Sequence, residues 1–412
     1  MNPLADIENI CFVDTETRAE PHVSVSDGNV VSAGTYRYAK SAFIIISTWG
    51  VGSAPVIDVS LNRGFDGNWI EWKELPYEVR EFYKRAEQRE AWFAAWNAGF
   101  DKAAWNHSTP DWPLLEADMI IDVMAQAVAS NLPPKLEGAS RFIGREGKHP
   151  EGKRLINKFC TRDGAQPYEV LEDGSIDPDW ETFKLYGRED VVEMREVFKS
   201  TRPLPYEEWE DYWVSERINE RGISIDLEFV QKAAKVAVAD RARIDAQLNR
   251  WTNGQITAVT QTARIADWIY DRLSDTEARD ILVTEYDENA IVDDDETADL
   301  KPVKLSIARD NIEKLLVFYA AKAAEDGGLS GGDQTIVDVL EARQFGGSSS
   351  PAKYAKMAAQ HDGGLLKGMY VFSGAPQTGR FSSKGVQTHN LTRSSLEEFE
   401  VPAIEMINEL EV

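Results

Sequence analysis

The stretch that most constrains the fold is Ile10-Cys-Phe-Val-Asp-Thr-Glu-Thr17, an apolar run that ends in two acids one residue apart. Side chains alternate between the faces of a strand, so Asp14 and Glu16 are expected to project the same way from the end of a buried strand. Two neighbouring carboxylates repel each other, which indicates a hard cation between them, because Mg²⁺ and Mn²⁺ prefer oxygen ligands. The pattern alone is not specific. It recurs at 226–228 and at 275–277, where a solvated or helix-capping role is the natural interpretation.

Composition limits the kind of protein before any further motif is considered. At 412 residues the chain is long enough for two or three domains, since single cores seldom grow beyond about 250 to 300 residues. The net charge of −25 argues against a general affinity for nucleic acid and leaves room for a local one. Two cysteines, Cys11 and Cys160, cannot build a disulfide framework, which favours a reducing compartment. The short acidic start and the lack of an apolar run of ~20 residues predict no signal peptide and no membrane span.

The chain changes character near residue 201. Before that point, apolar runs at 41–49, 54–60 and 92–96 predict strands, and a stretch such as 76–89 predicts a helix. This mixture is typical of an α/β domain with a mixed central sheet. Pro203 and Pro205 stop the preceding helix, and long helical patterns follow. We predict three parts, namely an α/β domain over 1–201, a mostly helical region over 202–345, and a final segment over 346–412.

Two further spacings place acids on helix faces. Asn97 and Asp101 stand four residues apart at the start of a predicted helix and would share one of its faces. Tyr186 and Asp190 have the same spacing on a later predicted helix, and no other tyrosine in the sequence has an aspartate four residues on. Taken singly, each pair is better explained by a helix cap, a surface acid or a half-buried tyrosine.

Taken together and in order, these residues indicate metal-dependent chemistry. Four carboxylates gathered at one point would bind two divalent ions, Mg²⁺ or Mn²⁺, about 3.5 to 4 Å apart. Phosphodiester hydrolysis needs such a pair, because one ion activates water while the other neutralises the leaving 3′ oxygen. A tyrosine hydroxyl could hold the attacking water. The combination therefore favours a metal site over four separate structural roles.

This ordered set resembles the DEDD exonucleases of the tyrosine type, which act 3′ to 5′ in proofreading and have an RNase H-like fold. The resemblance implies that Asp14, Glu16, Asp101 and Asp190 are the metal ligands and that Tyr186 orients the water. It also implies nucleic-acid contacts for Thr15 and Asn97. The stretches at 118–125 and 132–140 resemble the phage-type version of these enzymes.

The resemblance continues into the second half of the chain. The stretches 206–226, 343–354, 362–368 and 374–383 resemble the segment after the exonuclease, the thumb exit and the first palm segment of phage-type family A DNA polymerases. It implies minor-groove contacts to a primer-template from Arg380 and Asn390, with Gln387 as a further DNA contact. Such contacts test base-pair geometry and do not read sequence. Basic residues of the helical region are candidate phosphate contacts, namely Lys232, Lys235, Arg241 and Arg243.

The palm acids and the fingers helix of that family have no counterpart in this sequence. Polymerisation by a two-metal mechanism is therefore not expected from this chain alone. We expect instead a proofreading 3′ to 5′ DNA exonuclease, located in the cytoplasm of a bacterial host if phage-encoded. The chain would then be the amino-terminal part of a split or truncated polymerase: either a second polypeptide supplies the rest of palm and fingers, or a decayed polymerase is kept for its nuclease. An apolar stripe at Ile404, Ile407 and Leu410 would need cover from such a partner or from its own domain.

Two alternatives remain open at this point. The chain could be a non-catalytic subunit that holds DNA and a polymerase partner, with a vestigial nuclease site. It could also be a ribonuclease of RNA maturation, which would share the four acids, although the segment around Arg380 disfavours that interpretation.

Overall fold

The computed structural model describes residues 2–19, 34–61, 70–109, 111–147, 150–160, 170–171, 173–286, 302–348, 350–375, 378–391 and 397–410. The chain forms two compact units. Residues Met1–Leu227 together with Lys356–Arg393 make the first unit, and Glu228–Ala355 together with Ser394–Val412 make the second.

The first unit is built on a five-stranded mixed sheet. Its strands are β1 (Ile10–Ala19), β2 (Ala42–Val51), β3 (Ile57–Ser60), β4 (Trp92–Ala95) and β5 (Ile120–Asp122). The strand order is β3-β2-β1-β4-β5, and β1 runs antiparallel to β2 and parallel to β4. β4 and β5 pair in parallel and are buried along their whole length, as expected for parallel strands that are covered on both faces. The predicted mixed α/β architecture is confirmed.

Helices connect and cover these strands. They are α1 (Thr35–Ala39), α2 (Tyr77–Glu87), α3 (Ala98–Ser108), α4 (Val123–Ala129), α5 (Leu136–Phe142), α6 (Gly152–Phe159), α7 (Pro178–Ser200) and α8 (Tyr206–Arg221), with short 3-10 turns at Pro3–Ala5, Ile7–Asn9, Trp72–Glu74 and Ala117–Met119. Helix α7 starts with Pro178 in the first turn, and the Asp177 side chain accepts a hydrogen bond from the Asp179 N–H. It ends at Ser200, ahead of the two prolines, as predicted.

Aromatic side chains fill the core on the faces of the sheet. The ring of Trp105 lies 5.5 Å from that of Trp49 and 5.0 Å from that of Trp112, both measured between centroids. Phe12 of β1 packs edge-on against Phe198 of α7 at 5.4 Å. Strand β1 is therefore held at the centre of the sheet, with α7 packed against it.

The second unit is mostly helical. Its elements are α9 (Leu227–Trp251), α10 (Thr262–Tyr270), α11 (Thr276–Leu282), the hairpin β7 (Val283–Tyr286) with β8 (Pro302–Leu305), α12 (Arg309–Asp326), α13 (Gly331–Gly346), the first part of α14 (Ala352–Gln360) and α15 (Glu397–Glu409). Leu248, Ile269, Leu315 and Leu340 come from four of these helices and are fully buried in one cluster. One apolar stripe per helix thus builds this core, as the helical spacing predicts.

The late segment from residue 356 packs within the first unit. It contains β9 (Leu365–Leu366), which pairs with β6 (Ile223–Ser224), and the hairpin β10 (Tyr370–Ala375) with β11 (Arg380–Ser383). The side-chain amide of Asn219 donates to the Tyr370 carbonyl at 3.0 Å, and its oxygen accepts from the Tyr370 N–H at 2.9 Å. The ring of Phe372 contacts that of Tyr212 at 5.7 Å.

The compact units differ from the predicted boundaries at 201 and 345. Helix α8 belongs with the sheet because Trp209, Tyr212 and Trp213 are buried there, and the late segment covers the same cluster through Phe372. A proline in the sequence indicates where a helix ends. It does not indicate which hydrophobic core the next helix packs against. The three-part division into functional regions stays a prediction.

Most predicted elements are present with shifts of one to four residues at their ends. The strand expected over 41–49 is β2, and the helix expected over 76–89 is α2. Within the described ranges, none of the helices combines the length and apolar character needed to cross a bilayer.

Candidate functional site

Asp14 and Glu16 lie on the part of β1 that continues past its pairing with β4. Strand β1 pairs with β4 through Ile10–Phe12, whereas the ladder with β2 continues and places Asp14 opposite Thr48 and Glu16 opposite Ile46. Burial alternates here, with both acids half-buried and Thr15 between them buried. The two acids therefore share one face, as the strand period predicts.

Asp101 joins this strand through Thr15. The backbone N–H of Thr15 donates to Asp101 Oδ1 at 3.1 Å, and its hydroxyl donates to the same oxygen at 2.6 Å. Burial raises the pKa of Asp101 well above its usual range, and the charge of Asp14 raises it further, while the hydrogen bonds from Thr15 oppose both effects. Helix α3 thus brings its acid to the strand that carries the other two.

Helix α7 brings Tyr186 and Asp190 to the same place. Gly187 makes the approach possible, because a Cβ atom there would lie 2.8 Å from Thr48 Oγ1 of β2. Burial raises the pKa of the Tyr186 hydroxyl far above its ordinary value, and the charges of Glu16, Asp190 and Asp14 raise it further. The hydroxyl is therefore near enough to three carboxylates to be affected by the charge of each of them.

The donor chemistry suits a hard divalent cation, since carboxylate oxygens are the ligands that Mg²⁺ and Mn²⁺ prefer. Among the residues that the structure describes, however, no group of three or more His, Cys, Asp or Glu side chains is arranged so that it could hold a metal ion. The predicted ligands Asp14, Glu16, Asp101 and Asp190 share one neighbourhood, and the structure does not draw them into a formed ligand set.

Two residues predicted to touch nucleic acid have other contacts. Thr15 is 7% exposed, and its hydroxyl bonds to Asp101. Asn97 precedes α3 in the left-handed conformation, with φ 64° and ψ 53°, and its backbone N–H donates to Asp122 Oδ1 at 2.9 Å. Thr15 therefore acts within the carboxylate neighbourhood, and Asn97 sets the turn that starts α3.

The remaining predicted DNA contacts lie on a different element. Arg380 is exposed at the start of β11, and Gln387 and Asn390 are exposed in and beside the 3-10 turn Thr388–Asn390. The His389 N–H donates to Ser383 Oγ at 3.4 Å, which ties this turn to β11. The three residues thus belong to one exposed hairpin and turn, and none of them is on an element that carries a predicted metal ligand.

Sequence reasoning did not single out two neighbours of Glu16. The thiol of Cys160, the residue that ends α6, donates to Glu16 Oε2 at 3.5 Å, and burial followed by the charge of Glu16 raises its pKa well above the usual range. Tyr38 of α1 shares a 3.1 Å hydrogen bond with Thr17 Oγ1, and burial raises the pKa of Tyr38 to about 12. Neither contact had a signal in the local pattern, because each joins segments distant in sequence.

Two charged residues that support α3 were also missed. Lys102 has a side chain only 1% exposed, and its ammonium lies 2.7 Å from Glu220 Oε1 and 3.7 Å from Glu216 Oε2. Asp122 ends β5 and also accepts from the Met124 N–H at 2.9 Å; burial raises the pKa of Asp122 to about 7 while these hydrogen bonds lower it. An aspartate between an apolar strand and a helix is a capping signal that the sequence did offer.

Comparison with known proteins gives similarity to DNA polymerases, although no protein-family model matches the chain. The DNA polymerase of Bacillus phage SP02 is 24% identical over 385 residues, which cover 91% of this chain and 51% of that protein. Among solved structures, the POL domain of Pol1 from M. smegmatis, in complex with DNA primer-template and dNTP, matches with a TM-score of 0.44 and 12% identity. That match covers 86% of this chain and 50% of the other. The chain spans about half the length of each of these relatives.

Proposed function

We propose that residues 1–201 form a metal-dependent 3′ to 5′ DNA exonuclease of RNase H-like fold, in the amino-terminal part of a phage-type family A DNA polymerase. The similarity to the phage SP02 DNA polymerase over 91% of the chain supports the polymerase relationship. The exonuclease assignment rests on the residues around β1.

The observation that carries the exonuclease assignment is the double hydrogen bond from Thr15 to Asp101. It fixes an acid of α3 beside the strand that presents Asp14 and Glu16, at 2.6 and 3.1 Å. Charges forced together in a partly desolvated place favour a cation, because the cation offsets their repulsion. Asp14, Glu16, Asp101 and Asp190 would hold two Mg²⁺ or Mn²⁺ ions. Such ions, when bound, supply water activation and neutralise charge on the leaving oxygen.

The other residues of the site have roles that follow from their own chemistry. The Tyr186 hydroxyl, protonated at neutral pH like any tyrosine and hydrogen-bonded to Asp190, would hold a water at the reacting phosphate. Thr15 orients the Asp101 carboxylate, and Asn97 sets the start of α3. A single unpaired 3′ end would be the preferred substrate, because a site built from two ions around one scissile phosphate needs the end of one strand.

The helical region and the late hairpin would hold the duplex. Lys232 pairs with Glu228 at 3.0 Å and Arg243 pairs with Asp240 at 2.7 Å, so these two cations are already engaged. Lys235, for which the described residues supply no ion pair, is a better candidate for a phosphate contact, and Arg241 is a candidate for the same reason. Arg380, Gln387 and Asn390 would contact the primer-template from the exposed hairpin and turn.

The test uses single-stranded and duplex DNA labelled at the 5′ end. Shortening from the 3′ end is measured in the presence of Mg²⁺ or Mn²⁺. We expect Asp14→Ala to slow the reaction by about 1,000-fold, since it removes a ligand from ions that contribute several kcal/mol. The matched control is Asp275→Ala, the same substitution in the same Asp-Thr-Glu tripeptide at an exposed helix start. Absence of metal-dependent shortening by the wild type, or equal rates for wild type and Asp14→Ala, would contradict the proposal. Parallel assays on RNA decide between a deoxyribonuclease and a ribonuclease.

A second candidate function is a non-catalytic subunit that holds DNA and a partner chain carrying the rest of a polymerase. It is favoured by the lack of a formed group of three metal ligands in the described part of the chain. Ile404 of helix α15 and Leu410, directly after the helix, are exposed, and Ile407 is half-buried, which would suit such a partner. Tight DNA binding by a wild-type chain that does not shorten DNA with any divalent ion would select this function.

A further inference from the structure

We propose that Cys160 is a positioning residue that holds the Glu16 carboxylate in its ion-binding orientation through a thiol hydrogen bond. The inference rests on the proposed nuclease function, because it concerns how one of the predicted ion ligands is held. Its basis is the contact of Cys160 Sγ with Glu16 Oε2 at 3.5 Å, between residues 144 positions apart in the chain.

Glu16 needs an external support because its strand is irregular at this point. The register of β1 against β2 shifts between Glu16 and Thr17, so the ladder does not continue evenly past the acid. A glutamate side chain also has several rotatable bonds, and fixing them costs conformational entropy. A hydrogen bond to one carboxylate oxygen reduces that freedom before an ion arrives.

Helix α6 holds the thiol firmly enough for this role. The backbone N–H of Cys160 donates to the Ile156 carbonyl at 2.8 Å and closes the last turn of the helix. The preceding residue, Phe159, is fully buried, stacks on Phe183 at 5.2 Å and meets Trp180 edge-on at 5.0 Å. Cys160 is therefore fixed by the same aromatic cluster that contains Tyr186.

A neutral donor suits this position better than a charged one. Arg18, two residues from Glu16 on the same strand, donates to the Phe159 carbonyl at 3.4 Å, and its charge acts on the Cys160 thiol. A second cation in place of Cys160 would add to this positive charge and compete with the ion. A thiol is a weak donor, and it gains strength when its acceptor is ionised. It can orient the carboxylate and leave its charge available.

The chain offers a matched control in its other cysteine. Cys11 lies on the same strand as Glu16, is fully buried, and its thiol is 4.0 Å from the Phe12 carbonyl. Its neighbourhood is the apolar core. A change at Cys11 therefore perturbs packing in the same unit without touching a predicted ligand.

The experiment uses the full chain and three variants, Cys160→Ala, Cys160→Ser and Cys11→Ala. Mn²⁺ binding is titrated by the electron paramagnetic resonance signal of the free ion, and shortening of single-stranded DNA is measured as a function of Mn²⁺ concentration. Circular dichroism melting reports folding of each variant. We expect Cys160→Ala to raise the Mn²⁺ Kd and the half-saturating concentration about 10-fold, while kcat at saturating Mn²⁺ stays near the wild-type value. Cys160→Ser keeps a donor and should remain within about threefold of the wild type.

The outcomes separate this inference from the function on which it rests. The wild-type chain tests the nuclease proposal. If it neither binds Mn²⁺ nor shortens DNA, both the nuclease proposal and the positioning role of Cys160 are wrong. If the wild type is active and Cys160→Ala has an unchanged Mn²⁺ response, the positioning role alone is wrong. Equal weakening in the alanine and serine variants, or in Cys11→Ala, would also overturn it, because packing would then explain the effect.

Discussion

The tripeptide Asp-Thr-Glu occurs twice in the sequence, and the two copies differ in secondary structure, burial and hydrogen bonding. At 14–16 it lies on a strand of the central sheet, with the threonine buried and hydrogen-bonded to Asp101. At 275–277 all three residues are exposed, and Asp275 caps helix α11 by accepting from the Ala278 N–H at 3.1 Å. The difference comes from the flanks: a fully apolar run precedes the first copy, and Arg272-Leu-Ser precedes the second. The same tripeptide therefore lies beside a further acid, Asp101, only where the fold half-buries it on a strand of the sheet.

The largest effect is expected from a substitution beside the first copy. It tests whether the acids around Asp14 lower the stability of the fold while serving the proposed reaction. Asp101→Asn keeps an oxygen that can accept from Thr15 and removes the charge that repels Asp14. We expect nuclease activity to fall by about 1,000-fold, because a ligand charge is lost. The melting temperature at neutral pH should rise.

The sign of the stability change follows from proton linkage. The pKa of Asp101 is higher in the folded chain than in the unfolded one, so the folded state binds the proton more tightly. Stability contributed by this group is therefore lost as pH rises from the unfolded pKa through the folded pKa, and at higher pH the ionised acid destabilises the fold. A melting temperature of Asp101→Asn below that of the wild type at neutral pH would contradict desolvation as the cause.

An intermediate effect is expected from the buried cation beside Asp101. Lys102→Met leaves Glu216 and Glu220 without their counter-charge, and we expect a loss of about 2 to 3 kcal/mol in unfolding free energy. Partial exposure of Glu220 keeps the loss below that of a fully buried pair. Urea unfolding followed by circular dichroism measures it. The control is Lys84→Met, which breaks the exposed pair with Glu81 and should cost much less, because exposed ion pairs contribute little. Equal losses in the two variants would show that burial does not govern the effect.

The smallest effect belongs to the second copy of the tripeptide. Asp275→Ala removes a helix cap and should lower the unfolding free energy by about 1 kcal/mol, with nuclease activity unchanged. Differential scanning calorimetry and the DNA-shortening assay measure the two quantities. A loss of activity comparable with that of Asp14→Ala would remove the distinction between the two copies.

Sequence reasoning reached the fold of the first unit through its strands. The runs that became β1, β2 and β4 are apolar and bounded by turn residues, so the local pattern carried the assignment. The capping role expected for 275–277 is also confirmed, because a helix start is encoded within a few residues.

Long-range contacts were beyond the reach of the same reasoning. The hydrogen bond from Cys160 to Glu16 and the ion pair from Lys102 to Glu220 each join segments more than 100 residues apart, and periodicity describes neighbours only. Helix α8 was assigned to the helical region for the same reason. Its sequence pattern predicts that one face is buried, but the pattern does not predict which part of the fold covers that face. The roles assigned to the site residues remain predictions, because geometry alone does not test them.

The missing Cβ atom of Gly152 leaves the space that the ring of Tyr186 occupies. Gly152 opens α6 against the ring of Tyr186, and a Cβ atom there would lie 2.5 Å from a ring carbon. The ring also stacks on Phe183 inside a filled cluster, so a methyl group at position 152 would push it out of line with its neighbours. A screen for inactive variants would then recover a glycine, distant in sequence from the four predicted ligands, whose loss displaces the tyrosine while all four carboxylates stay in place.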